Sequence, residues 1–236
     1  MDKEKNLNPI FDSLLKNAVV LDDDAFDKAE EHDRERERAF LVAKRLSDMP
    51  KRFADSTFES YELSEDPSVR RTQGKLIEAL KRGVPVVMYG NNGTGKTRLA
   101  FASYRHQVEQ GKDAFYMTAS EFFDRVKAAF GDKGMTSVIR GYVGYDYLII
   151  DEVDKSYGSP TEFIALSRLV DYRYLALKPT VLIANADNKK ESDKYVINVC
   201  GRSAYERIVE DGTAFYMDWP SYRGKRFAKE AEKEDR

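Results

Sequence analysis

The eight residues Gly90-Asn91-Asn92-Gly93-Thr94-Gly95-Lys96-Thr97 hold the most specific chemistry in the chain. They follow an apolar run, Val86–Tyr89, and precede a helical pattern, so G-x-x-x-x-G-K-[ST] stands between a strand and a helix, as a phosphate-binding loop requires. Glycines at 90, 93 and 95 allow backbone conformations barred to residues with a Cβ, so that N–H groups can converge on phosphate oxygens. The helix that follows adds its positive N-terminal end. Lys96 is expected on the β- and γ-phosphates and the Thr97 hydroxyl on Mg²⁺, and Arg98 is counted with residues 90–97 as nucleotide-binding. The expected ligands are ATP and Mg²⁺.

A second cluster is Asp151-Glu152, directly after the apolar run Tyr147–Ile150. An acid at a strand's end can share a magnesium shell with Thr97. The next acid can polarise a water for in-line attack on the γ-phosphorus. Kinases that use a substrate as nucleophile have no need of it, so Glu152 favours hydrolysis. Asn185 ends another apolar run, Thr180–Ala184, and is a candidate to hydrogen-bond the γ-phosphate or the water. Arg202, Arg207 and Arg223 are the candidates for a guanidinium on the transferred phosphate.

These residues need a scaffold that brings them together. Strands are predicted at Val86–Tyr89, 114–118, 147–151, 180–184 and 213–218, with helices between them. That alternation implies an α/β fold, a mainly parallel sheet with helices on both faces. Its ligands belong beyond the carboxyl ends of the strands, where the loop, the acid pair and Asn185 all fall. Asp66-Pro67 starts a helix that Gly83 ends, and Gly111 ends the helix after the loop. Ser120 is read as the cap of a helix through Phe122, Phe123, Val126 and Phe130, broken by the GDKG at 131–134.

Residues 1–50 differ from the rest. Ile10, Phe11, Leu14 and Leu15 have helical spacing, and a longer charged helix is expected from about Asp22 to Leu46, with pairs such as Glu30–Arg34. Two such helices have too little apolar surface for their own core, which suggests a docking module over 1–50 ahead of a nucleotide-binding domain over 51–236.

The whole chain has 42% hydrophobic and 34% charged residues, which describes a globular protein. A net charge of −2 argues against coating nucleic acid by bulk charge, while leaving room for a local basic groove. No apolar run is long enough for a membrane span, and the single Cys200 fits a reducing compartment, so a cytoplasmic protein with no membrane partner is expected.

The ordered set GNNGTGKT, YLIIDE, LIAN, SAYERI and DWPSYRGK resembles the AAA+ domain of DnaC/DnaI-type replicative helicase loaders, and the lead-in STFESYEL fits too. The resemblance covers about Phe53 to Phe227. It implies a P-loop AAA+ core, ATP hydrolysis, self-association through the nucleotide sites, a hexameric DnaB-type replicative helicase as partner, and single-stranded DNA as ligand. Asn185 falls on the family's sensor 1 position, Arg207 on the arginine that completes a neighbour's site, and Arg223 on the sensor 2 arginine. Phe130 matches an aromatic that touches single-stranded DNA, and Ser159 a second contact. The tyrosine expected beside Ser159 is Thr161 here, with Tyr157 close by.

IstB-like transposition ATPases share the same core and form the nearest alternative. A small-molecule kinase is disfavoured by the acid pair and by the missing lid-like insertion. A nucleotide-gated adaptor with little turnover is a third alternative.

Overall fold

A computed structural model of the chain describes residues 23–129, 131–155, 158–186 and 189–222. It divides into two units, 1–44 and 45–236. Among the described residues the first helix is α1 (Asp23–Ser47), which carries the acidic and basic run, with Phe40 and Leu41 exposed. The expected helix around Ile10–Leu15 lies outside the described residues.

In the second unit the elements are α2 (Pro67–Arg82), β1 (Val86–Gly90), α3 (Lys96–Glu109), β2 (Ala114–Thr118), α4 (Ala119–Ala128), α5 (Gly131–Val143), β3 (Tyr147–Asp151), α6 (Pro160–Leu175), β4 (Thr180–Asn185), α7 (Lys189–Cys200), α8 (Arg202–Glu210) and β5 (Thr213–Met217). The five strands form one parallel sheet in the order β2-β3-β4-β1-β5. The three central strands are buried almost throughout, and the edge strands β2 and β5 only in part. Burial on both faces is why the central strands read as unbroken apolar runs.

Alternate residues serve opposite faces. Val87, Tyr89, Leu148, Ile150, Leu182 and Ala184 pack in one core with Phe122, Phe123, Ile139, Leu166, Leu169 and Ile208 from α4, α5, α6 and α8. α2 and α3 pack together, and α3 lies on β2 and β3. There the Ser103 and Tyr147 hydroxyls are 2.7 Å apart. Helices therefore cover both faces, as expected.

The ends of α2 follow local chemistry. Asp66 Oδ1 accepts from the Ser68 and Val69 N–H groups, Pro67 opens the first turn, and Gly83 closes the helix at φ 68°. One expectation fails at the start of α4. The cap of α4 is Thr118, not Ser120: its hydroxyl accepts from the Glu121 N–H while Glu121 reaches back, a reciprocal capping box. The GDKG stretch separates two helices but also begins α5, which runs to Val143.

Candidate nucleotide-binding site

The register of the sheet assembles the site. Gly90 pairs with Asn185 on one side and Met217 on the other, and β3 lies on the far side of β4. Three adjacent strands, β3, β4 and β1, thus deliver Asp151-Glu152, Asn185 and the loop at 90–97 to one edge.

Within the loop, Gly90, Gly93 and Gly95 have φ of 132°, 80° and 91°. At Gly90 a Cβ would stand 2.3 Å from the Met217 carbonyl oxygen, so β5 leaves no room for a side chain there. Gly95 precedes the first turn of α3, and Lys96 and Thr97 are its first residues. The largely buried Lys96 ammonium donates to the Gly90 (2.9 Å) and Asn91 (2.7 Å) carbonyls, at the mouth of the loop. Asn91 and Asn92 lie in the loop itself, the Asn91 side chain on the Asp218 carbonyl (3.5 Å). The Arg98 guanidinium is directed to Asp55 (3.4 Å) and the Ser60 hydroxyl (3.3 Å), so it braces the lead-in segment.

Thr97 Oγ1 donates to Asp151 Oδ2 at 2.8 Å, and Tyr116 Oη donates to the same oxygen at 3.0 Å. The other oxygen accepts from the Glu152 N–H at 2.7 Å. Asp151 is buried, these three donors are neutral, and desolvation raises its pKa above the ordinary carboxylate value. A buried carboxylate beside a hydroxyl suits a small, oxygen-seeking divalent cation, so the residues fit Mg²⁺. No sequence pattern marks Tyr116 as a partner of Asp151. It lies one strand away on β2, and nothing local links it to Asp151.

Glu152 turns the chain at the end of β3 with φ 58°, in the left-handed region. A non-glycine residue there costs energy that packing must offset, and such residues gather at functional sites. Its Oε1 receives the Lys155 ammonium at 2.6 Å. Asn185 is held by Asp154, which accepts from its backbone N–H (2.8 Å) and its side-chain amide (3.3 and 3.4 Å). The repeated acids of D-E-V-D were the available signal for Asp154.

Arg207 stands elsewhere. It lines a cavity of about 200 Å³ with Pro85, Pro179 and Thr180, where β1 and β4 begin. A five-residue strand spans about 16 Å, so Arg207 is at the opposite edge of the sheet from the loop of its own chain. Its Nε lies 3.0 Å from Asp171 Oδ1, and its guanidinium 5.3 Å from the centre of the Tyr174 ring. Arg202 is more exposed and pairs with Glu206 at 3.3 Å. Ser159 caps α6, its hydroxyl accepting from the Glu162 N–H at 3.3 Å. Phe130, Tyr157 and Arg223 lie outside the described residues.

Two relatives cover most of the chain. An insertion-sequence protein of Mycobacterium tuberculosis named for ATP binding is 25% identical over 176 residues, covering 73% of this chain and 70% of that one. The replicative helicase loader DnaC of Buchnera aphidicola subsp. Schizaphis graminum is 24% identical over 183 residues, covering 72% and 70%. A crystal structure of the DnaC helicase loader superimposes with a TM-score of 0.59 at 19% identity, over 72% of this chain and all of that one, which shows the AAA+ fold. The family described as IstB-like ATP binding protein matches residues 22–226, and with that span the chain belongs to it.

Proposed function

We propose that the chain is an ATPase of the helicase-loader kind, which binds ATP·Mg²⁺ at residues 90–97 and places a replicative helicase on single-stranded DNA. The observation that carries the reading is the convergence of three strand ends, with Thr97 and Asp151 2.8 Å apart beside Glu152. Loop N–H groups and Lys96 hold the phosphates, and Thr97 and Asp151 hold the metal. Mg²⁺, when bound, neutralises charge on the phosphate oxygens. Glu152 accepts the proton of the attacking water, and Asn185 orients that water or the γ-phosphate.

Arg207 serves a neighbouring copy in this reading, because its own loop lies across the sheet from it. Arg223 contacts nucleotide within its own chain. Hydrolysis therefore depends on self-association. Residues 1–50 dock a hexameric DnaB-type helicase, a role supported by exposed Phe40 and Leu41 on α1. Phe130, Ser159 and Tyr157 are the proposed DNA contacts, and the cytoplasm is the proposed compartment.

The insertion-sequence relative favours a second reading, in which the same ATPase serves a transposase. The test is ATP turnover with and without single-stranded DNA, followed by co-purification with a hexameric helicase or a transposase. DNA-stimulated turnover and capture of the helicase support the loader. Capture of the transposase alone supports the second reading. No turnover under any condition contradicts both.

A further inference from the structure

Within the phosphate loop, the carbonyl groups of Asn91, Gly93 and Thr94 have identified donors. Asn91 O accepts from Lys96 and from Thr94 Oγ1 (3.0 Å). Gly93 O accepts from the Tyr222 N–H (2.9 Å). Thr94 O accepts two side-chain donors at once, Tyr61 Oη and Trp219 Nε1, both at 2.9 Å. Tyr61 comes from the lead-in before α2 and Trp219 from the segment after β5, so the contact joins the two ends of the nucleotide-binding unit. Tyr61, Thr94 and Trp219 are all buried.

A trans peptide holds its C=O and the following N–H in opposite directions. Donors that fix the Thr94 oxygen therefore also fix where the Gly95 N–H points, away from the aromatic side. The Tyr222 N–H does the same for the Thr94 N–H through Gly93 O. Gly95 is also pressed from this side, since a Cβ there would meet Tyr61 Cε2 at 2.7 Å. The aromatic shell is itself anchored. Tyr61 and Tyr222 meet edge to face at 5.8 Å, Tyr222 Oη donates to Glu62 O (2.8 Å), and buried Gln73 donates to Tyr222 Oη (3.0 Å).

We propose that Tyr61 and Trp219 are positioning residues for phosphate binding, orienting the Gly95 amide through the shared Thr94 carbonyl. The proposal rests on residues 90–97 being the phosphate loop, and not on turnover, DNA or a partner. Removing one donor leaves the carbonyl with the other, so single losses are moderate. Removing both orphans a buried acceptor, and the double loss exceeds the product of the single losses.

The experiment measures affinities for ATP, inorganic tripolyphosphate and adenosine in the full chain and in Tyr61→Phe, Trp219→Phe and the double variant. Tyr61→Phe keeps the ring and removes only the hydroxyl. The expected result is about fivefold weaker binding of both ATP and tripolyphosphate for each single variant, with adenosine affinity unchanged. Trp219 is the chain's one tryptophan, so tripolyphosphate is also expected to shift the wild-type emission. Variants that bind ATP within twofold of wild type, or that lose adenosine in the same proportion as ATP, overturn the proposal while wild-type binding upholds the loop. A wild-type chain that binds neither ATP nor tripolyphosphate overturns the loop and the proposal together.

Discussion

Thr97 and Asp151, 54 positions apart in sequence, are joined by a 2.8 Å hydrogen bond between the hydroxyl and Oδ2. The contact ties the start of α3 to the end of β3 and sets two oxygen donors side by side. Asp151→Asn keeps the shape but removes the charge that a divalent cation needs. Calorimetry with and without magnesium is expected to show that the variant loses most of the magnesium-dependent gain in ATP affinity. An undiminished gain places the metal elsewhere.

Lys96 is held at the loop mouth by the Gly90 and Asn91 carbonyls, where it neutralises phosphate charge in the proposed complex. Lys96→Ala is expected to abolish measurable ATP binding while the fold persists. Unchanged affinity in the same titration contradicts the site.

Arg173 is fully buried on α6 and donates to Tyr142 O (2.7 Å), Tyr145 O (2.9 Å), Pro179 O (2.7 Å) and Thr180 Oγ1 (2.9 Å). It satisfies carbonyls in the last turn of α5, just after it and just before β4, with burial lowering its pKa to about 10. Arg173→Leu leaves several buried acceptors without a donor, at about 1–3 kcal/mol for each one that water cannot reach. Urea denaturation is expected to show a loss of at least about 3 kcal/mol. A loss within about 0.5 kcal/mol, the range of ordinary surface changes, contradicts the assignment.

Asp146 precedes β3, where the Lys178 ammonium and the Asp113 N–H hold its carboxyl below the usual range. A depressed folded pKa contributes stability that is present above the unfolded value of about 3.9 and lost as pH falls through the folded value. The side chain is partly solvent-exposed, so the effect is small and sensitive to salt. Asp146→Asn is expected to be less stable than wild type at pH near 7, with the difference vanishing at pH near 2. A deficit that persists at the lower pH assigns the effect to packing.

The buried parallel strands were legible because they are short apolar runs with polar ends, and the sheet order then placed their loaded ends together. α5 was not. Met135, Val138, Ile139 and Tyr142 have helical spacing, and Ile139 and Tyr142 are buried. Glycines at 131 and 134 hid this, although a Cβ at Gly134 would stand 1.7 Å from the Ala129 carbonyl oxygen, so this glycine permits the close turn between helices. In the site, the loop and acid pair are written in local spacing. Tyr116, Tyr61 and Gln73 act on it across long sequence separations, through contacts that only the sheet and its two flanking segments create.

In the proposed mechanism the site at 90–97 hydrolyses ATP only when a second copy supplies Arg207. Arg207→Ala, lacking the guanidinium, and Glu152→Gln, lacking the water-activating carboxylate, are each expected to bind ATP but turn it over at least 100-fold more slowly than wild type. Mixing them pairs an intact Glu152 with a neighbour's intact Arg207. The direct test is steady-state ATP hydrolysis across mixing ratios. Activity that rises to a maximum near equal amounts is the predicted result, and no recovery at any ratio contradicts action of Arg207 on a neighbouring copy.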